Sequence, residues 1–225
     1  MFSPANTVSL PMKSNTIQNF EHLRHTKTTK GRKFHVETLT KEEVMALVDS
    51  CNDGSSGLRN KVLIIVLYRC GLRISEALGM RFSDYNPAEG TIRVVGKGNK
   101  MRVVGLDSQT KLNMDMWIAK RKELGINGTG NPPIFCGISK MNFREPIQPV
   151  YVRNLLKRLA HSAGIEKRVN PHQFRHSFAH DLLQEGIGLN HIQISLGHSS
   201  ISTTSKYLQG FNPRETILTI QQRTW

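Results

Sequence analysis

The sequence predicts a mainly α-helical fold with one small antiparallel β-sheet, an α+β arrangement in a single ordered domain. Three observations carry that expectation. Apolar residues recur at helical spacing in most segments after residue 40. Two β-branched runs, Thr91–Val95 and Lys100–Gly105, flank the turn Gly96-Lys-Gly-Asn99, which signals a hairpin. Residues 1–36 are polar and weakly patterned, and read as a basic arm or linker ahead of the domain.

The elements follow in chain order. Thr40-Lys-Glu-Glu43 has capping-box spacing, and Val44, Leu47, Val48 and Cys51 then fall on one helical face. A deeply apolar helix is expected from about Leu58 to Cys70, with Gly71 as its stop and a short helix carrying Ile74, Ala77 and Leu78 beyond it. After the hairpin, helical patterns return at 108–124 and 150–163, with a loop at 127–133. Asn170-Pro171 starts a helix that runs to about Glu185, Asn as N-cap and Pro in the first turn, and Gly186 stops it. A short helix is expected over 190–196, closed by Gly197. A further helix capped by Ser199 or Ser200 would hold Tyr207, and a last one would start at Pro213.

The charge narrows the function. The 225 residues hold 31 Lys and Arg against 17 Asp and Glu, a net +14. That excess favours a polyanionic partner, nucleic acid before membrane, because no single basic amphipathic helix stands out. The longest apolar run, Val62 to Tyr68, is far too short to cross a bilayer, and Met1 to Leu10 lacks the pattern of a secretory leader. Cys51, Cys70 and Cys136 are too few and too scattered for a disulfide framework and read as buried thiols of a reducing cytoplasm.

Two clusters carry chemistry. In Pro171-His-Gln-Phe-Arg-His176, His172 and Arg175 share one face near a helix N-terminus, where free N–H groups and the dipole favour an anion. His172 and His176 also have the spacing of a helical zinc pair, but Gln173 stands where the metalloprotease pattern needs Glu, so no metal is expected. Downstream, Leu196-Gly-His198 is followed nine residues later by Tyr207.

Together the run His172-Gln-Phe-Arg-His-Ser-Phe-Ala179, then Leu196-Gly-His-Ser-Ser-Ile-Ser-Thr-Thr204, then Tyr207 resembles the C-terminal signature of the tyrosine recombinases, the phage-integrase family with its Xer-type members. Gly71-Leu-Arg-Ile-Ser-Glu-Ala77 resembles that family's first arginine box, and Val94-Val-Gly-Lys-Gly-Asn-Lys100 its lysine hairpin. The likeness covers about Leu39 to Phe211, with the motifs in family order.

The resemblance implies a site-specific DNA recombinase that cleaves and rejoins strands through a 3′-phosphotyrosine, without cofactor or metal. Tyr207 matches the nucleophile. His172 matches the residue that takes its proton or bonds the phosphate. Arg73 and Arg175 match the paired arginines, His198 a phosphate hydrogen-bond donor, and Lys97 the acid that protonates the leaving 5′ oxygen. Lys100 is Lys97's local rival. Glu76 matches an acid that orients the first arginine. Lys100, Arg102, Arg153, Lys157 and Arg158 are expected to contact DNA. Implied partners are double-stranded DNA, further copies of the chain in a homo-tetramer on paired sites, and accessory DNA-bending proteins, in the cytoplasm at the nucleoid and without a membrane. The expected units are an arm over 1–36, the catalytic domain over 37–211, and an amphipathic C-terminal helix over 212–225 that packs on a neighbouring subunit or on its own domain.

The chain departs from the family pattern in places. Only 36 residues precede the expected domain, so either the family's N-terminal clamp is absent or the chain is a fragment. Gly105 stands where the family often has Pro, and His180 where it has a small residue. Two other readings share the motifs: a type IB topoisomerase-like relaxer, and a non-catalytic DNA-binding regulator.

Overall fold

The computed structural model describes residues 37–197, which form seven α-helices and one three-stranded sheet. Helix α1 (Lys41–Asp49) begins where expected: Thr40 Oγ1 accepts from the Glu43 N–H at 3.2 Å, and the Glu43 carboxylate accepts from the Thr40 N–H at 2.7 Å. Helix α2 (Ser55–Arg69) is the centre of the molecule. It buries Val62, Leu63, Ile64, Val66 and Leu67 and packs against α1, α4 (Ser108–Glu123) and α6 (Pro171–Gln184). It starts three residues before the apolar pattern. That first turn is polar and is held tightly: a Cβ on Gly57 would sit 1.6 Å from the Asn52 carbonyl oxygen, so a glycine is required there.

Beyond Gly71 comes α3 (Ile74–Gly79), followed by the sheet: β1 (Tyr85–Asn86), β2 (Thr91–Val95) and β3 (Met101–Gly105), antiparallel in that order. β1 is an addition to the expected hairpin, paired Tyr85 with Ile92 and Asn86 with Thr91. The sheet's inner face is Ile92, Val94 and Val104, all buried; Val95, Met101 and Val103 are exposed on the other side. In the β2–β3 register Arg102 lies opposite Val94, so its side chain belongs to the inner face.

Asp107 caps α4, accepting from the Thr110 N–H at 2.9 Å. Trp117 of α4 is fully buried and donates to the Ile134 carbonyl at 3.0 Å, which fixes the loop leading to α5 (Pro149–Ser162). Buried apolar side chains from α1 to α6 and the sheet form one continuous core. A smaller cluster, Ala179, Ile192 and Leu196 with Phe178, Leu182 and Leu183, seats α7 (Leu189–Leu196) on α6.

The segment entering α1 is tied to the other end of the domain. Ser177 of α6 both donates to the Leu39 carbonyl (2.9 Å) and accepts from its N–H (2.7 Å). Gln173 donates to the Glu37 carbonyl at 3.2 Å, and Lys167 to the Thr38 carbonyl at 2.6 Å. All three cysteines are buried and free. No described helix is long and apolar enough to cross a membrane.

Candidate active site

The site begins at the end of α2. Gly71 takes φ +60°, and a Cβ there would meet the Phe178 ring at 2.3 Å, so the chain turns hard against α6. Leu72 is fully buried and anchors the turn. Arg73 is therefore delivered as the extended N-cap of α3, and its N–H donates to Glu76 Oε2 at 2.8 Å. Its guanidinium meets Glu76 Oε1 at 2.7 Å and stays 35 % exposed.

Arg175 reaches the same carboxylate from the first turns of α6. It is fully buried, with Nη1 2.8 Å from the Gly71 carbonyl oxygen and 3.8 Å from Glu76 Oε2, while Nη2 donates to the Leu196 carbonyl. Arg102, expected on the DNA side, turns inward instead. Its fork meets both oxygens of Glu76, Nη1 to Oε1 at 3.0 Å and Nη2 to Oε2 at 2.9 Å, and Nε donates to the Ser195 carbonyl at 3.0 Å. A buried carboxylate is tolerated only with such compensation. Burial alone would raise the pKa of Glu76, but the hydrogen bonds from Arg102 and from Arg73 outweigh it and hold the carboxyl below its ordinary value. One carboxylate thus gathers three guanidinium groups, and the cluster is cationic.

His172 stands exposed at the mouth of α6, lining a groove of about 1240 Å³ together with Arg73. The protein packed around the imidazole, then the charges of Arg175 and Arg73, push its pKa below the usual value, which favours the neutral form. The His172 and His176 rings meet edge to face, with centroids 4.7 Å apart. The helix end does not offer the free N–H groups expected of it. The His172 N–H is bound to Asn170 Oδ1 at 3.0 Å, the Gln173 N–H to the Asn170 carbonyl at 3.1 Å, and Pro171 has none. The positive end of the helix dipole remains, and the donors there are side chains.

Arg153 and Lys157 of α5 line the groove; Arg158 is exposed but does not line it. Arg168 and Lys167 line it too, and sequence reasoning missed both; the basic pair just before Asn170 was the available signal. Lys167 is partly committed, 2.7 Å from Glu43 Oε2. The hairpin turn spans Lys97–Asn99, with Gly98 at φ +71° and Asn99 at φ +58°, and Lys100 is exposed where the turn rejoins β3. A Cβ on Gly96 would lie 3.6 Å from Glu76 Oε1, so the base of the turn sits against the arginine cluster. His198 and Tyr207 lie outside the described residues. Gly197, left-handed at φ +65°, ends α7 one residue before His198. Among the described residues, no three His, Cys, Asp or Glu side chains gather as a metal site requires.

The arrangement can bind and polarise a phosphate. A surface arginine, an imidazole whose neutral form is favoured and a basic groove converge near the base of the hairpin turn and the end of α7.

Comparison with known proteins agrees with this architecture. The tyrosine recombinase XerD of Halalkalibacterium halodurans is 33 % identical over 184 residues, covering 81 % of this chain and 60 % of that protein. The crystal structure of the XerA recombinase superposes with a TM-score of 0.69 at 27 % identity, covering 84 % of this chain and 66 % of that one. The XerH site-specific recombinase, in its post-cleavage complex with a palindromic difH substrate, gives a TM-score of 0.66 at 28 % identity over 83 % of this chain and 53 % of that one. The chain spans about three fifths of the XerD relative's length. The phage integrase family profile matches residues 37–212, a span that contains all of the arginine, lysine and histidine motifs, and the chain belongs to that family.

Proposed function

We propose that this chain carries the catalytic domain of a site-specific DNA recombinase that cleaves and rejoins strands through a 3′-phosphotyrosine. The observation that carries the reading is the convergence of Arg73, Arg102 and Arg175 on the buried Glu76 carboxylate, beside a basic groove lined by His172. The names of the recombinase relatives, and the palindromic difH substrate of the XerH complex, support DNA as the partner.

In this reading the Tyr207 oxygen attacks phosphorus and the bond to the 5′ oxygen breaks. The tyrosine proton passes to His172, which its surroundings keep neutral and able to accept it. That help is needed, since a phenol of pKa about 10 is ionised only about one part in a thousand at pH 7. The 5′ oxygen leaves with a proton from Lys97. Arg73 and Arg175, with His198, stabilise the charge on the non-bridging oxygens, Arg73 from the surface and Arg175 by its charge from the buried position behind Glu76. A 5′-hydroxyl then attacks the phosphotyrosine and restores the bond, so the link's energy is kept and no nucleotide is spent.

Residues 1–36, with the basic run Arg24–Lys33, act as a DNA-contacting arm on this view, and the work is done by a homo-tetramer on paired sites in the cytoplasm, at the nucleoid. A cleft of about 360 Å³ between α2, α6 and β3, where Phe178, Leu182 and Val103 stand beside charged Arg69, Asp181 and Glu185, is the seat this reading gives the amphipathic 212–225 segment of a neighbour.

The test is a nicked suicide substrate. Wild-type protein gives a denaturation-resistant DNA adduct, and Tyr207→Phe loses the adduct while keeping DNA binding. An undiminished adduct in that variant moves the nucleophile elsewhere, and binding without any wild-type adduct leaves a DNA-binding regulator. Exchange of strands between two paired sites separates a recombinase from a relaxer, which rejoins only its own strand.

A further inference from the structure

The geometry points to Arg102 as a positioning residue: it registers the lysine hairpin and the segment leading to His198 on the carboxylate that holds the arginine pair. The inference rests on the reading of the site as strand-cleaving.

Three observations carry it. First, the side chain is committed inward. Its fork takes both oxygens of Glu76, its Nε takes the Ser195 carbonyl, and only 13 % of the side chain reaches solvent. Its place opposite buried Val94 on the inner face of the sheet dictates that direction. Second, two glycines close on it. A Cβ on Gly197 would lie 3.2 Å from Arg102 Cδ and Nη1, and a Cβ on Gly96 would lie 3.7 Å from Nη1. These are the residues directly before His198 and Lys97. The backbone that launches each of the two runs against the same guanidinium. Third, Arg102 and Arg175 together hold the last turn of α7, one on the Ser195 carbonyl and one on the Leu196 carbonyl, and both face Glu76. Helix-end carbonyls need such partners, and a cation there is favoured by the dipole.

Arg102 therefore links three separate pieces of the site: the hairpin on which it sits, the α3 carboxylate that orients Arg73, and the end of α7. None of its bonds requires the reacting phosphate. A lysine cannot reproduce them, because one ammonium cannot span the two carboxylate oxygens and the Ser195 carbonyl in that fixed plane.

The experiment is single-turnover cleavage by wild type, Arg102→Lys, Arg102→Gln and Arg102→Ala, each with its DNA affinity, salt slope and melting temperature measured. Two substrates are used, ordinary DNA and DNA with sulfur replacing the bridging 5′ oxygen, which leaves without needing a proton. At saturating DNA, Arg102→Gln cleaves ordinary DNA about 10²-fold more slowly, the scale of a misplacement near 1 Å, while affinity and salt slope hold. Sulfur substitution recovers part of that loss, since one of the groups displaced is the proton donor on the hairpin. Arg102→Lys stays slow, and added methylguanidinium accelerates Arg102→Ala. Cleavage by Arg102→Gln at the wild-type rate overturns the inference. So does a loss confined to affinity with a salt slope lower by about 1, which would make Arg102 a phosphate contact. An Arg102→Ala protein that is folded and slow on both substrates, and that methylguanidinium does not accelerate, also overturns it. If wild type forms no adduct, the strand-cleaving reading itself fails and takes the inference with it.

Discussion

Replacing Glu76 with Gln keeps the shape of the side chain and removes its charge. Each carboxylate oxygen accepts two hydrogen bonds: Oε1 from Arg73 Nη1 and Arg102 Nη1, Oε2 from the Arg73 N–H and Arg102 Nη2, at 2.7 to 3.0 Å. Whichever oxygen becomes the amide nitrogen, two acceptors are lost and donors face donors. A hydrogen bond to a charged group contributes about 1.5–3 kcal/mol. One of the two lost bonds always belongs to Arg102, whose side chain is 13 % exposed, and counts fully; a lost guanidinium bond from Arg73, at 35 % exposure, is discounted for solvent screening. The sum is about 3–5 kcal/mol, the range for breaking a buried pair by removing one partner. At about 2–4 °C per kcal/mol for a domain of this size, the melting temperature falls by roughly 6–20 °C at pH 7. The pH dependence has a definite sign. Glu76 is held below its ordinary pKa, so its contribution is complete above the unfolded value of about 4.3 and drains away as pH falls through the folded one. The gap between wild type and variant therefore narrows only in acid. Thermal and urea unfolding followed by circular dichroism at several pH values measure it. A melting temperature within about 2 °C of wild type at pH 7, less than 1 kcal/mol by the same scale, or a gap that widens on acidification, refutes the reasoning.

Three further outcomes are expected. Lys97→Ala cleaves ordinary DNA slowly, by about 10²–10⁴-fold, and recovers most of its rate on the sulfur-substituted substrate, whereas Lys100→Ala changes little on either; the reverse pattern assigns the acid to Lys100. The His172 imidazole titrates below about 6.5 by NMR, because packing and the Arg175 and Arg73 charges disfavour the cation, and Arg73→Gln raises that midpoint; a wild-type midpoint at or above 6.5 contradicts the electrostatics. Arg153→Gln and Lys157→Gln each flatten the log–log salt dependence of DNA binding by about 1 and weaken binding to all sequences alike; an unchanged slope removes α5 from the DNA face.

The helices were legible because their ends are written in side chains that must satisfy backbone groups. Thr40 with Glu43, and Asn170 with Pro171, mark starts that the structure reproduces to the residue. Where an element is held by tertiary contact, the pattern is silent. The first turn of α2 is polar and has no apolar period to read, and its glycine is fixed by the close approach of the Asn52 carbonyl just upstream. β1 is two residues long and has no period to detect; pairing with β2 makes it. In the site, His172 and Arg175 came from their spacing on one helix face, Arg73 and Glu76 from the resemblance to the family's first arginine box, and the fold brings the four to one place. Arg102 was misjudged because a basic residue in a hairpin looks solvent-facing. The alternation in β3 held the correction: Arg102 shares parity with buried Val104, not with exposed Met101 and Val103.

The ties between residues 37–39 and α6 bind the start of the domain to the helix at its site. Ser177, Gln173 and Lys167 grip the entering strand of backbone at three successive residues, and Ser177 and Gln173 belong to the helix that carries His172 and Arg175. The backbone entering α1 is thus stapled to the helix bearing the imidazole, so the first residues of the domain and the base of its groove are held as one piece.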